Sequence, residues 1–182
     1  VNAVDPSFKI PAQWKAAIGA TYEFGEGYRL MLDFLYTRDR DAAAIVDATL
    51  EQIGTAADGR PVYRAIDRSD PDCATPTSAL CSGRRNTQDF LLTNNDGGAQ
   101  KIISAALSKN HDWSDGWGAD WTLAYAYTDA KDRNPMTSSV AFSNFVNFST
   151  SDPNRPSLAN SNYEVPHRFT LRAGLNMPIF GE

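Results

Sequence analysis

From Trp117 to Asp129 the chain alternates strictly. Trp117, Ala119, Trp121, Leu123, Tyr125 and Tyr127 fall in one phase, and Gly118, Asp120, Thr122, Ala124, Ala126 and Thr128 in the other. A period of two gives chemically distinct faces only in a strand. One face is greasy and the other is small. At about 3.3 Å per residue the strand is roughly 43 Å long, and tilted by about 45° it rises roughly 30 Å, the thickness of a bilayer's hydrocarbon. Globular strands are usually about 5 or 6 residues long.

The same pattern recurs along the chain. Asp5-Pro6-Ser7-Phe8-Lys9-Ile10-Pro11 is extended, its two prolines unable to donate to a ladder. A first strand is predicted over Ala12 to Phe24, with Trp14, Ala16, Ile18, Ala20, Tyr22 and Phe24 in one phase. Gly25-Glu26-Gly27 supplies the positive-φ positions of a tight hairpin. The second strand follows from Tyr28 to Arg40, with Leu30, Leu32, Phe34 and Tyr36 in phase. A third spans Phe90 to His111, broken at Asn94-Asn95-Asp96-Gly97-Gly98, and carries Lys101 and Lys109 at the ends of its apolar phase, placed to snorkel. Trp117 to Asp129 is the fourth, and Asn162 to Asn176 the fifth, with Phe169, Leu171, Ala173 and Leu175 in phase.

The connections are short, long, short, long. Between Asp41 and Asp89 the alternation lapses. There Ala42 to Ile53 fits a short helix, since Ile45, Thr49 and Ile53 share a face, and equally fits an extension of the strand. Asp58-Gly59-Arg60-Pro61 is a turn signal. A second long connection runs from Asp129 to about Ser161, rich in Asn, Ser, Pro and Asp. Tight turns at one end and long loops at the other are the asymmetry of outer-membrane barrels. Aromatics gather at both ends: Phe24, Tyr28, Trp113 and Trp117 by the short turns, Trp14, Tyr36, Tyr125 and Tyr127 toward the long loops. Amphipathic rings prefer the headgroup level.

Composition is compatible with this reading. The chain is 42% hydrophobic, its mean hydropathy is -0.42, and no run approaches the roughly 18 apolar residues of a membrane helix. A barrel strand shows lipid only alternate residues, so its average is diluted. The net charge of -5 argues against a nucleic-acid partner. The bland alternative is a water-soluble antiparallel sheet packed on a second layer, acting in surface adhesion or ligand binding. Against it stand the strand length and a second face rich in Gly, Ala, Ser and Thr. The expected fold is therefore all-β: an antiparallel up-and-down meander of about five long strands, a segment of a large transmembrane barrel with long external loops. Five strands leave open edges, and open edges in hydrocarbon cost several kcal/mol per unpaired backbone group. With Val1-Asn2-Ala3-Val4-Asp5-Pro6 reading as the interior of a longer polypeptide, residues 1–182 are expected to be one partial barrel domain.

Three runs carry a resemblance: Asp5-Pro6-Ser7-Phe8-Lys9-Ile10-Pro11; Gly54-Thr55-Ala56-Ala57-Asp58-Gly59-Arg60-Pro61-Val62-Tyr63; and Ser161-Asn162-Tyr163-Glu164-Val165-Pro166-His167-Arg168-Phe169, preceded by Thr137 to Phe145 and Ser151 to Asn160. In this order they resemble the barrel of Oar-like TonB-dependent outer-membrane receptors, over nearly the whole chain. The resemblance implies a 22-stranded barrel closed by an N-terminal plug, which moves a scarce substrate across the bacterial outer membrane with energy relayed by the TonB system. No plug, TonB-box segment or terminal strand ending in an aromatic is visible here, so transport by these residues alone is not expected. The branch is also associated with adhesion and protein export, which leaves the substrate open.

Residues with chemistry are few. Cys73 and Cys81 are the only cysteines and fall in the first long connection. A disulfide between them is expected to restrain that loop by about 2.6 kcal/mol in the chain-entropy model, as suits an oxidising cell surface. No metal site is expected, because no nearby His or second Cys pair completes a tetrahedral set. Asp67, Asp70 and Asp72, and Asp129 with Asp132, lack the spacing and Gly of a calcium loop. His111 and His167 have no nucleophile in any motif context, so neither enzyme activity nor a cofactor is expected. Asp33, Asp120, Arg168 and Arg172 fall on the small, inward phase and are candidate lumen-facing charges, with mutual pairing the default.

Overall fold

The computed structural model describes residues 2–65, 88–113 and 116–178. Two compact units divide the chain. The first comprises Val1–Ala12, Asp39–Gly98 and Asp132–Ala159, the second Gln13–Arg38, Ala99–Lys131 and Asn160–Glu182.

The second unit is one antiparallel sheet of five long strands: β2 (Ala12–Phe24), β3 (Tyr28–Arg40), β8 (Ala99–Asp112), β9 (Gly118–Asp132) and β11 (His167–Asn176). They lie side by side in chain order, with the two-residue β10 (Ala159–Asn160) also beside β9. Gly25 and Gly27 take φ of 57° and 78°, the left-handed values that let the β2–β3 turn close. Pro166 has no N–H to donate, and its carbonyl accepts from the Thr128 amide at 3.0 Å. The ladder to β9 begins one residue later, at His167, five residues beyond the expected start.

Register stacks like on like. Leu30, Leu107, Leu123 and Leu171 form one row across four strands, followed by Leu32, Ala105, Tyr125 and Phe169, then by Phe34, Ile103, Tyr127 and His167. The rows between them, on the opposite face, read Met31, Ala106, Ala124, Thr170 and Asp33, Ser104, Ala126, Arg168. Among the described residues no second layer covers the greasy rows. All of β2 is exposed, and Trp14, Ile18, Phe169 and Leu171 each leave 67–75% of their surface open. No closure into a barrel is present among these strands.

The first unit holds the core. Strand β7 (Phe90–Asn95) lies between β4 (Ala42–Asp47), which it pairs antiparallel, and the short β1 (Asn2–Val4), which it pairs parallel. A separate hairpin joins β5 (Leu50–Thr55) to β6 (Pro61–Ala65) through the Asp58-Gly59 turn, with Gly59 at φ 87°. The one helix among the described residues, α1 (Ala141–Val146), sets Phe142 and Phe145 against Phe90, ring centroids 6.3 and 5.3 Å apart. Ala44, Ile45 and Phe90 are buried there. Ala42 to Ile53 is thus two strands rather than a helix, and the expected third strand is two strands in different sheets, parted at Asp96 to Gly98.

Polar side chains complete this unit's ladders. Asn154 accepts from the Asp47 amide at 2.8 Å and donates to the Asp47 carbonyl at 3.0 Å, copying a strand partner along β4. Asp47, 1% exposed, accepts from both the amide and the hydroxyl of Thr49. The Tyr63 hydroxyl donates to Asp152 at 2.9 Å, and burial followed by that carboxylate pushes the phenol above its ordinary value.

Candidate functional site

The four charges singled out from phase fall on one face of the long sheet, the small-residue face. Asp33 and Arg168 share a row, separated by Ser104 and Ala126. Two strand spacings more than adjacency, roughly 14 Å in all, is too far for an ion pair, and no described residue pairs with either. Arg172 approaches Asp120 to 3.9 Å, a loose and open contact with the guanidinium 77% exposed. Such pairs contribute about 0–1 kcal/mol.

Both carboxylates meet glycine. A Cβ placed on Gly19 of β2 would come within 2.5 Å of Asp33 Oδ1, and one on Gly174 of β11 would collide with the Asp120 carboxylate. Each acid therefore lies flat over the neighbouring strand at a point where that strand has no side chain. Near the short turns Arg29 makes a two-nitrogen contact to Glu23 Oε1, at 2.9 and 2.6 Å. Glu23, Arg29, Ser108, Asn110, Asp120 and Thr122 border a concavity of about 630 Å³ there. Sequence phase gave no reason to select Glu23 and Arg29, though a Glu and an Arg flanking a three-residue turn are natural cross-strand partners.

On the greasy face the structure assembles aromatics that sequence had only placed at ends. Tyr22 stacks on Phe24 and Phe24 on Tyr28, centroids 5.8 and 5.5 Å apart, and Trp121 meets Tyr28 edge-on at 6.4 Å. The Lys109 ammonium lies 4.3 Å from the centre of the Tyr28 ring. Toward the long connections Tyr125 shares a 2.9 Å hydrogen bond with His167 Nδ1, and Tyr127 and Phe169 crowd the same corner. His111 packs edge-on against Trp113.

Cys73 and Cys81, with Asp67, Asp70 and Asp72, lie outside the described residues. Among the described residues no three His, Cys, Asp or Glu side chains are grouped to hold a metal ion. Among the described residues no helix is long and apolar enough to cross a membrane, which says nothing about strands. What the arrangement offers chemically is a two-faced wall: one side apolar and ring-studded, the other small, hydroxylated and dotted with charges of both signs. No protein-family model, curated protein or solved structure matches the chain.

Proposed function

We propose that this chain is part of the wall of a bacterial outer-membrane β-barrel, and that the barrel is that of an Oar-like TonB-dependent receptor passing a scarce substrate across the outer membrane. One observation carries the reading. Apolar side chains align row by row across the long strands, and nothing described in the chain covers them. A soluble sheet would bury such rows against a second layer, because leaving them in water forgoes about 25 cal/mol per Å². Acyl chains cover them without one.

The opposite face suits an enclosed aqueous space. Its Gly, Ala, Ser and Thr leave room, and Asp33, Asp120, Arg168 and Arg172 present both signs of charge to whatever occupies it. By chain order the segment before β2 and the connections β3–β8 and β9–β11 all join the long strands at the ends opposite the short turns. In an outer-membrane barrel that end is extracellular. The receptor assignment itself rests on the runs at 5–11, 54–63 and 161–169, and TonB coupling would act through parts of a receptor other than these strands.

A soluble adhesion or ligand-binding domain is the competing reading, and solubility separates the two. Expressed without detergent, the chain is expected to aggregate, and to become monodisperse and β-rich by circular dichroism in detergent micelles. A monomer in plain buffer that unfolds cooperatively would return the assignment to the soluble domain.

A further inference from the structure

We propose that Lys109, held between Tyr28 and Trp121, seats the phosphate of an anionic phospholipid headgroup at the short-turn rim of the greasy face. The inference rests on the membrane reading above and adds a ligand to it. Lys109 of β8 is the register partner of Tyr28 in β3 and of Trp121 in β9. Its ammonium donates to the Tyr28 hydroxyl at 3.2 Å while lying over the same residue's ring. The ring attracts the cation without neutralising it. Among the described residues no carboxylate lies within ion-pair distance of Lys109.

An ammonium carries three donors, and Tyr28 accepts only one. The Tyr28 hydroxyl keeps its own proton to offer. An oxyanion beside the pair would take up both the charge and the unused donors. The very next row is Leu30, Leu107, Leu123 and Leu171, so an anion here would lie directly at the edge of the apolar band. A phospholipid satisfies both rows at once, phosphate on Lys109 and acyl chain along the leucines; free phosphate satisfies only the first. Lys101, at the other end of β8, differs: its register partners are Tyr36 and Asp129, so an acid stands in its own row. Because the chain's net charge is -5, preference for an anionic membrane must come from a local cation rather than from the overall field.

The test is partitioning of the chain, diluted from urea, into vesicles of phosphatidylcholine alone or mixed with phosphatidylglycerol. The chain is expected to favour the anionic vesicles. Lys109→Gln is expected to lose about fivefold of that preference, Lys109→Arg to keep it, and Lys101→Gln to leave it unchanged. Equal preference in the wild type and Lys109→Gln overturns the headgroup site while the membrane reading stands. Saturable binding of inorganic phosphate by the wild type, lost in Lys109→Gln, together with no preference for the anionic vesicles, overturns the lipid as ligand and leaves a free-anion site. Failure to enter either vesicle overturns the membrane reading itself.

Discussion

Leu123 stands between Leu107 and Leu171 at one level of the sheet, whereas Ser104, on the other face, stands beside Asp33. An arginine has opposite consequences at the two places. In a bilayer Leu123→Arg buries a cation among acyl chains and is expected to cost about 2–4 kcal/mol of transfer into vesicles. Ser104→Arg lies on the opposite, small-residue face next to Asp33, the side a barrel would enclose, and is expected to change that free energy by less than about 1 kcal/mol. Urea titration of vesicle-bound chain measures both. Equal penalties would mean that both faces see the same environment, which no barrel wall allows. At this scale the sequence was legible in phase but not in contact. Alternation placed Asp33, Asp120, Arg168 and Arg172 on one side. That Arg172 approaches Asp120, while Asp33 and Arg168 stand apart, depends on which residues end up opposite one another, and one sequence does not state its register. Gly19 and Gly174 give no signal in sequence for the same reason, since a glycine within a strand acquires meaning only from the carboxylate that lies over it.

Among the elements, those with local signals were legible where those signals fall. β2 and β3 end where the alternation meets Gly25-Glu26-Gly27. β4 was not, because Ala42, Ala43, Ala44, Ile45 and Val46 are apolar on both faces and give no period; its pairing with β7, some fifty residues on, settles its conformation. α1 gives even less away: six residues with no side-chain cap, held by Phe142 and Phe145 against Phe90. β1 has its own weak point. Its three residues pair with β7, and the anchor beyond them is Asp5, whose amide donates to Leu92 and whose carboxylate accepts from the Ser7 hydroxyl and amide and from Thr93. Those bonds, the Ser7 hydroxyl foremost, hold the carboxyl below its ordinary value of 3.8. A lowered folded-state pKa means the contribution is complete above that ordinary value and disappears as pH falls through the lower, folded one. Acidification below 3.8 is therefore expected to reduce the protection factor of the Asp5 amide before that of the Asp47 amide, whose acceptor, the Asn154 carboxamide, does not titrate. Asp5→Asn should reproduce the loss at neutral pH. Protection that falls equally at both amides would show that the unit opens as a whole and that Asp5 is no separate anchor.

For the whole molecule the decisive quantity is parity. Each neighbouring pair among β2, β3, β8, β9 and β11 is antiparallel, so β2 and β11 run in the same direction. Joining these edges directly would demand a parallel seam. Two copies set side by side in one membrane orientation would meet β11 to β2, again parallel. An all-antiparallel wall therefore needs an odd number of strands beyond these five, which makes the total even, as bacterial barrels require. Among the described residues no strand pairs the outer edge of β2 or of β11, and backbone N–H and C=O groups left open there turn to water or detergent headgroups. Hydrogen exchange on the chain in micelles reads this directly. Amides of β8 and β9, paired on both sides, are expected to exchange slowest, and the outward amides of β2 and β11 orders of magnitude faster. Protection of β2 and β11 equal to that of β9 would mean the edges have found each other or a second copy, and the open-wall description would fail even if the greasy face still lay in lipid.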